Sequence, residues 1–323
     1  MCLTILFVII LIWYIKSCQH PQNFPKGPRV PFPFLGLSGD MGRDMIAISK
    51  KYGDGNLCGF WMGNFRAVTV RKFETLQKLL NHPNAEGRQP IAANCEYYIC
   101  KNLMKTFYKD FLDLRGGYSM DQSPPGIIFS HGKTWKDLRG ITMQYMKGLG
   151  MGKKVFDDLI EQQADFLIEY IESHCLNTPV YVDQLFFRAT LSVIWRIIAD
   201  ESLPFEHERL ETVFTSVKEY LDDMGSLLVQ STMHSELLSK AIEFLGLSTQ
   251  KQSHVKLFKE IENVIESIQV NGSDCTITEA FLDRMKTDDT NPLLKGQLGK
   301  LNLRNVLLDL IIGATDTTSC SLQ

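Results

Sequence analysis

The chain has 323 residues, is 44% hydrophobic and 22% charged, and carries a net charge of −3. That suffices for one large core or two ordinary ones, and the near-neutral balance argues against nucleic acid as a partner. The eight cysteines (Cys2, Cys18, Cys58, Cys95, Cys100, Cys175, Cys275 and Cys320) show no Cys-x-x-Cys pair and no zinc-type Cys/His spacing, so they are expected to be reduced, mostly buried thiols facing the cytosol.

Residues 2–15 are almost wholly apolar and end in Trp13 and Tyr14. As a helix the run spans roughly 21 Å, short of the ~30 Å hydrocarbon core, a length that suits a signal peptide. Three details favour a retained anchor instead. No basic residue precedes the run, no small-x-small cleavage site follows it, and it closes on an aromatic pair of the interfacial kind. Lys16, Lys26 and Arg29 all follow it, which predicts a cytosolic domain by the positive-inside rule. Asn271-Gly272-Ser273 is a glycosylation acceptor by pattern, and a cytosolic placement would leave it bare.

Five prolines between Pro21 and Pro33 cannot be helix interior and read as a stiff hinge, with a polyproline ligand as the alternative. A helix is expected over 41–52, strands over 57–61 and 67–70 turning near Gly63-Asn64, and a helix over 73–80. Residues 91–125 carry Tyr97, Tyr98, Phe107, Tyr108 and Phe111 and read as helix fragments in a long loop, functional or a plain surface insertion. Trp135 and Arg139 are four apart, on one helix face. Together they could grip a ligand carboxylate, but the residues alone favour a mutual cation–π pair. Further helices are expected over 151–173, 185–199, 208–221, 235–245, 254–268 and from 281, with Trp195 in a packing role. The fold class is mainly α with a small β-sheet (α+β).

Residues 301–323 organise the rest. Val306, Leu307, Leu308, Leu310, Ile311 and Ile312 are apolar on nearly every side, which places the helix inside a core. Then Gly313-Ala314-Thr315-Asp316-Thr317-Thr318 interrupts it. Thr317 could return its hydroxyl to the carbonyl of Gly313 one turn back and open a place for water or a small ligand inside a core helix. Alternatively the helix ends at Gly313 and a polar loop follows.

In their order the features resemble the N-terminal part of a microsomal cytochrome P450, of the animal type that includes drug and steroid hydroxylases. The resemblance rests on the anchor, the Pro-rich hinge, Ile127-Ile128-Phe129-Ser130-x-Gly-x-x-Trp-x-x-x-Arg, Gly150-x-Gly-Lys153, and Gly313 to Thr318. It implies an anchor at 1–16, a hinge at 17–36 and a partial haem-thiolate monooxygenase domain at 37–323. It also implies that Trp135 and Arg139 bind a haem propionate, that Asp316 and Thr317 are the acid–alcohol pair of the central helix, and that Gly313 and Ala314 border the space over the iron. Ile127, Ile128 and Phe129 would lie in or near the loop over the substrate. The family usually has Gly where this chain has Ala314, and the methyl narrows the groove for oxygen. The implied activity inserts one atom of dioxygen into a small apolar substrate, with electrons from NADPH through a reductase, at the endoplasmic reticulum membrane.

The departures concern the metal ligand. The family's axial cysteine sits in Phe-x-x-Gly-x-x-x-Cys-x-Gly after the central helix, and none of the eight cysteines has that setting. No metal ligand is therefore assigned within the chain; the axial Cys is expected beyond its end, in a truncated gene model or partial transcript. Glu206 and Arg209 match the family's Glu-x-x-Arg by spacing only, and are expected to be a solvated surface pair. The alternative is a membrane-tethered, non-catalytic helical binding protein without haem.

Overall fold

The computed structural model describes residues 12, 22–28, 41–62, 65–85, 123, 125–176, 181–225, 250–271 and 276–322. The anchor except Ile12, most of the hinge, most of the 91–125 loop, the helix expected over 235–245 and all but Asn271 of the glycosylation acceptor lie outside them. Among the described residues no helix is long and apolar enough to cross a membrane. The chain divides into two compact units, Met1–Met104 with Ser231–Glu236, and Lys105–Gln230 with Leu237–Gln323.

The first unit contains α1 (Met41–Tyr52), β1 (Leu57–Met62), β2 (Phe65–Val70) and α2 (Phe73–Leu80). The strands pair antiparallel from Leu57↔Val70 to Met62↔Phe65, one or two residues longer than the alternation predicts. Asp54 starts β1: its Oδ1 accepts from the N–H groups of Leu57 (2.7 Å) and Asn56 (2.9 Å), which hold its carboxyl below the usual range. Ile48 and Cys58 form a small core, and burial pushes the Cys58 thiol up. In the described part of the hinge, the Lys26 carbonyl accepts from Gly59 N–H at 3.0 Å.

The second unit carries α3 (Gly132–Gly148), α4 (Lys154–His174), α5 (Val182–Ala199), α6 (Glu208–Gly225), α7 (Gln250–Asn271), α8 (Ile277–Thr287) and α9 (Gly296–Leu322). α9 is central because it is apolar nearly all round. Val306, Leu307, Leu308 and Ile311 are at most 1% exposed, in one core with Trp195 of α5, Val217 of α6, Ile261 of α7 and Phe281 of α8. Burying each such aliphatic side chain contributes about 1.5–3 kcal/mol.

Several helices run longer than their apolar periodicity predicts, and at α8 the extra turn comes from a polar cap. Thr276 Oγ1 accepts from Glu279 N–H (3.0 Å) and starts α8 four residues before the expected 281. Thr278 Oγ1 donates to the Ile198 carbonyl (2.8 Å) near the end of α5, satisfying a terminal carbonyl.

Three expectations need correction or refinement. Glu206 and Arg209 do not pair: Arg209 binds Glu201 at 3.1 Å and Glu206 binds His174 at 2.9 Å. Trp195 packs as expected, yet its indole N–H also donates to Glu201 Oε2 (3.0 Å), so α5 and α6 share one carboxylate. Of the cysteines among the described residues only Cys58 is buried; Cys175 is half-buried and Cys320 exposed.

Candidate functional site

α9 does not stop at Gly313; it continues as α-helix to Leu322. The Thr317 hydroxyl donates to the Gly313 carbonyl at 2.6 Å, the back-bond that the spacing suggests. The notch is not enclosed, however. Gly313, Thr317 and Thr318 are exposed, and a Cβ built at Gly313 would meet nothing within 4 Å. Thr315 and Ser319 face the other way and are buried; the Thr315 carbonyl accepts from Thr190 Oγ1 of α5 at 3.3 Å. Ala314 and Asp316 are half-buried between the two faces. The helix therefore has a packed side and an open side, and the small and hydroxylated residues give the open side its room.

Cys320, one turn beyond Asp316, lies with its Sγ 3.9 Å from Asp316 Oδ1. Among the described residues no group of three or more His, Cys, Asp or Glu side chains could hold a metal ion.

Trp135 and Arg139 lie on α3, which shares the core of α9 through Leu138 and Ile141. The Arg139 guanidinium sits 5.5 Å from the centroid of the Trp135 ring, the cation–π pair that the residues alone favour. Arg139 is exposed and Trp135 half-buried. Among the described residues neither the guanidinium nor the indole N–H has an acceptor. Two sets of donors are thus held side by side and left open.

The segment 125–130 precedes α3, and its position depends on a residue that sequence reasoning missed. Asp309 Oδ2 accepts from the backbone N–H groups of Ile127 (2.6 Å) and Ile128 (3.0 Å). Gly126 N–H donates to Asn302 Oδ1 at 3.3 Å, and Ser130 Oγ closes the segment on the Ile127 carbonyl (3.2 Å). Only glycine suits position 126: its φ is +89°, and a Cβ there would lie 2.5 Å from Asp309 Oδ2. This clamp sets the half-buried side chains of Ile127, Ile128 and Phe129 beside α9. A signal was present in the sequence. Asn302, Asn305 and Asp309 recur at i, i+3 and i+7, a polar stripe on one face of a helix otherwise read as greasy throughout.

A family model described as Cytochrome P450 matches residues 87–323. Over 98% of its length the chain is 24% identical to farnesoate epoxidase of Bombyx mori and 23% identical to cytochrome P450 2C7 of Rattus norvegicus, covering 60% of each. It is 25% identical to cytochrome P450 2B19 of Mus musculus over 99% of its length, covering 61% of that protein. The chain thus spans about three fifths of the length of these curated relatives. The order of helices, the small antiparallel sheet and a family match over well over half of its residues agree: this chain belongs to the cytochrome P450 family.

Proposed function

We propose that this chain forms the dioxygen-facing side of a haem-thiolate monooxygenase that inserts one oxygen atom into an apolar organic substrate. The observation that carries the reading is the open notch on α9, where Thr317 Oγ1 rests on the Gly313 carbonyl at 2.6 Å on an exposed face. The residues present fit a haem group. The donors of Trp135 and Arg139, without an acceptor among the described residues, suit a propionate, and at Gly313 even a Cβ would meet nothing within 4 Å, so that face is not blocked. Gly313 and Ala314 would border that macrocycle. When bound, haem supplies the activation of dioxygen.

The chain's own residues would handle protons, shape and water. The half-buried Asp316 carboxyl can reach solvent and collect a proton there. Thr317 Oγ1, once rotated off the Gly313 carbonyl, can pass a proton into the notch. Ile127, Ile128 and Phe129, pinned by Asp309, would form an apolar wall that excludes water and favours an apolar substrate. The farnesoate epoxidase among the relatives is named for a reaction on a farnesoate, which agrees with a substrate class of this kind.

Electrons would come from NADPH through a reductase partner. The anchor at 1–16 and the hinge at 17–36 would hold the domain at the endoplasmic reticulum membrane, facing the cytosol; the basic residues after the apolar run support that orientation.

Thr317→Ala tests the reading. In the haem-loaded protein supplied with a reductase, NADPH consumption should continue while product formed per NADPH falls about tenfold or more. Unchanged coupling would remove Thr317 from the proton route.

A further inference from the structure

Asn302 takes no part in the chemistry proposed at the notch, yet it is 0% exposed and both ends of its carboxamide are engaged. Its Oδ1 accepts from Gly126 N–H at 3.3 Å, and its Nδ2 donates to the Leu293 carbonyl at 2.8 Å. The orientation is fixed by the partners, since a backbone N–H can only donate and a carbonyl only accept. Leu293 belongs to the 3₁₀ turn Pro292–Leu294 in the α8–α9 connection.

That turn is pressed close to α9. A Cβ at Gly299 would lie 2.3 Å from the Leu294 carbonyl, so the backbones approach as only glycine permits. The connection is also braced from the other side. Asp288 accepts from Thr290 Oγ1 (2.7 Å), Thr290 N–H (3.0 Å), Asn291 N–H (3.2 Å) and Arg284 Nε of α8 (3.0 Å). A stiff connection, one carboxamide and the 125–130 segment therefore form a continuous hydrogen-bonded path.

We infer that Asn302 is a positioning residue that couples the 125–130 segment to the α8–α9 connection, so that the two hold or lose their places together. The two Asp309 bonds join the segment to α9, whereas Asn302 also ties it to a third element. The coupling stands on geometry. Its consequence, that a shift in the α8–α9 connection changes which substrates pass Ile127 to Phe129, rests on the monooxygenase reading.

Hydrogen exchange read by mass spectrometry on the full chain tests the coupling without haem or catalysis. Its failure would leave the proposed chemistry untouched, and failure of the chemistry would leave the coupling. In the parent, the amides of Gly126, Ile127 and Ile128 should exchange at least about tenfold more slowly than unprotected amides of the same sequence. Asn302→Leu keeps the branched shape and the number of heavy atoms and removes both bonds. It should speed exchange at least about tenfold both in 125–131 and at Leu294 and Lys295, with α6 and α7 unchanged. Asp309→Leu should speed only 125–131. The inference is overturned if Asn302→Leu affects neither segment or only one, or if Asp309→Leu loosens both. Loop-like exchange of Gly126 to Ile128 in the parent would overturn it even if neither variant folds.

Discussion

Asp288 shows what a single carboxylate can fix. Its donors are the Thr290 hydroxyl and N–H, Arg284 and the Asn291 N–H, and together they hold its carboxyl down to about 2, from an ordinary 3.8. A carboxyl whose folded value is depressed stabilises the fold above its unfolded value, and the contribution is lost as pH falls through the folded one. The window here therefore runs from about pH 4 down to about 2. Asp288→Asn should flatten the parent's loss of thermal stability across that window and leave the difference between pH 7 and pH 5 unchanged. Melting curves of both proteins at pH 7, 5, 4 and 2.5 check this; parallel curves would refute the assignment. At this scale the sequence is legible where partners are near in the chain. The Thr317 back-bond is a four-residue relation and could be read directly. Asp309 could not, because its donors lie 181 and 182 residues away. Glu206 and Arg209 show the reverse error: correct spacing, but each side chain found a partner outside the motif.

α9 is legible as an element because its run from Val306 to Ile312 is apolar on nearly every side, Asp309 apart, and so belongs at the centre of a core. What the run could not show is which of its glycines are tight. Glycine in a helix interior costs about 1 kcal/mol relative to alanine, so replacement should help wherever a methyl has room. Gly313 has that room and Gly299 does not: a Cβ at 299 would strike the Leu294 carbonyl at 2.3 Å, and backbone atoms cannot swing aside. Gly313→Ala should therefore raise unfolding stability by about 0.5–1 kcal/mol. Gly299→Ala should lower it by about 1–3 kcal/mol despite the better helix propensity. Denaturant titrations of the two variants beside the parent decide the matter, and equal effects of the same sign would contradict the packing described for this helix. Gly313→Ala should also reduce the room at the notch, so a gain in stability would come with weaker binding of bulky apolar ligands. Helix boundaries were the less legible part. Periodicity marks the buried face, whereas the start of α8 is set by a single cap, Thr276.

Across the whole molecule, the two sides of α9 divide the labour. One side is sealed into the core shared by α3 and α5 to α8, and the other presents Gly313, Thr317 and Thr318 to the outside. Family membership was legible because several weak motifs stand in order along the chain, a pattern that chance does not supply. Residues 91–125 gave no periodicity to read. α3 offers a test at this scale, because Arg139 is held on the Trp135 ring at 5.5 Å with no acceptor for its guanidinium among the described residues. A surface arginine serving only the fold could be removed with little effect. An arginine that grips a propionate could not, since a hydrogen bond to a charged group contributes about 1.5–3 kcal/mol. Arg139→Ala should therefore speed haem loss from the loaded protein by about 10- to 100-fold, followed as transfer of haem to an excess of acceptor apoprotein. Arg139→Lys should fall between, because an ammonium keeps the charge and loses the planar fork. Thermal stability of the haem-free chain should shift by less than about 0.5 kcal/mol in both variants. Equal rates of haem loss in parent and Arg139→Ala would remove Arg139 from the propionate site and leave the Trp135 pair as a feature of the fold alone.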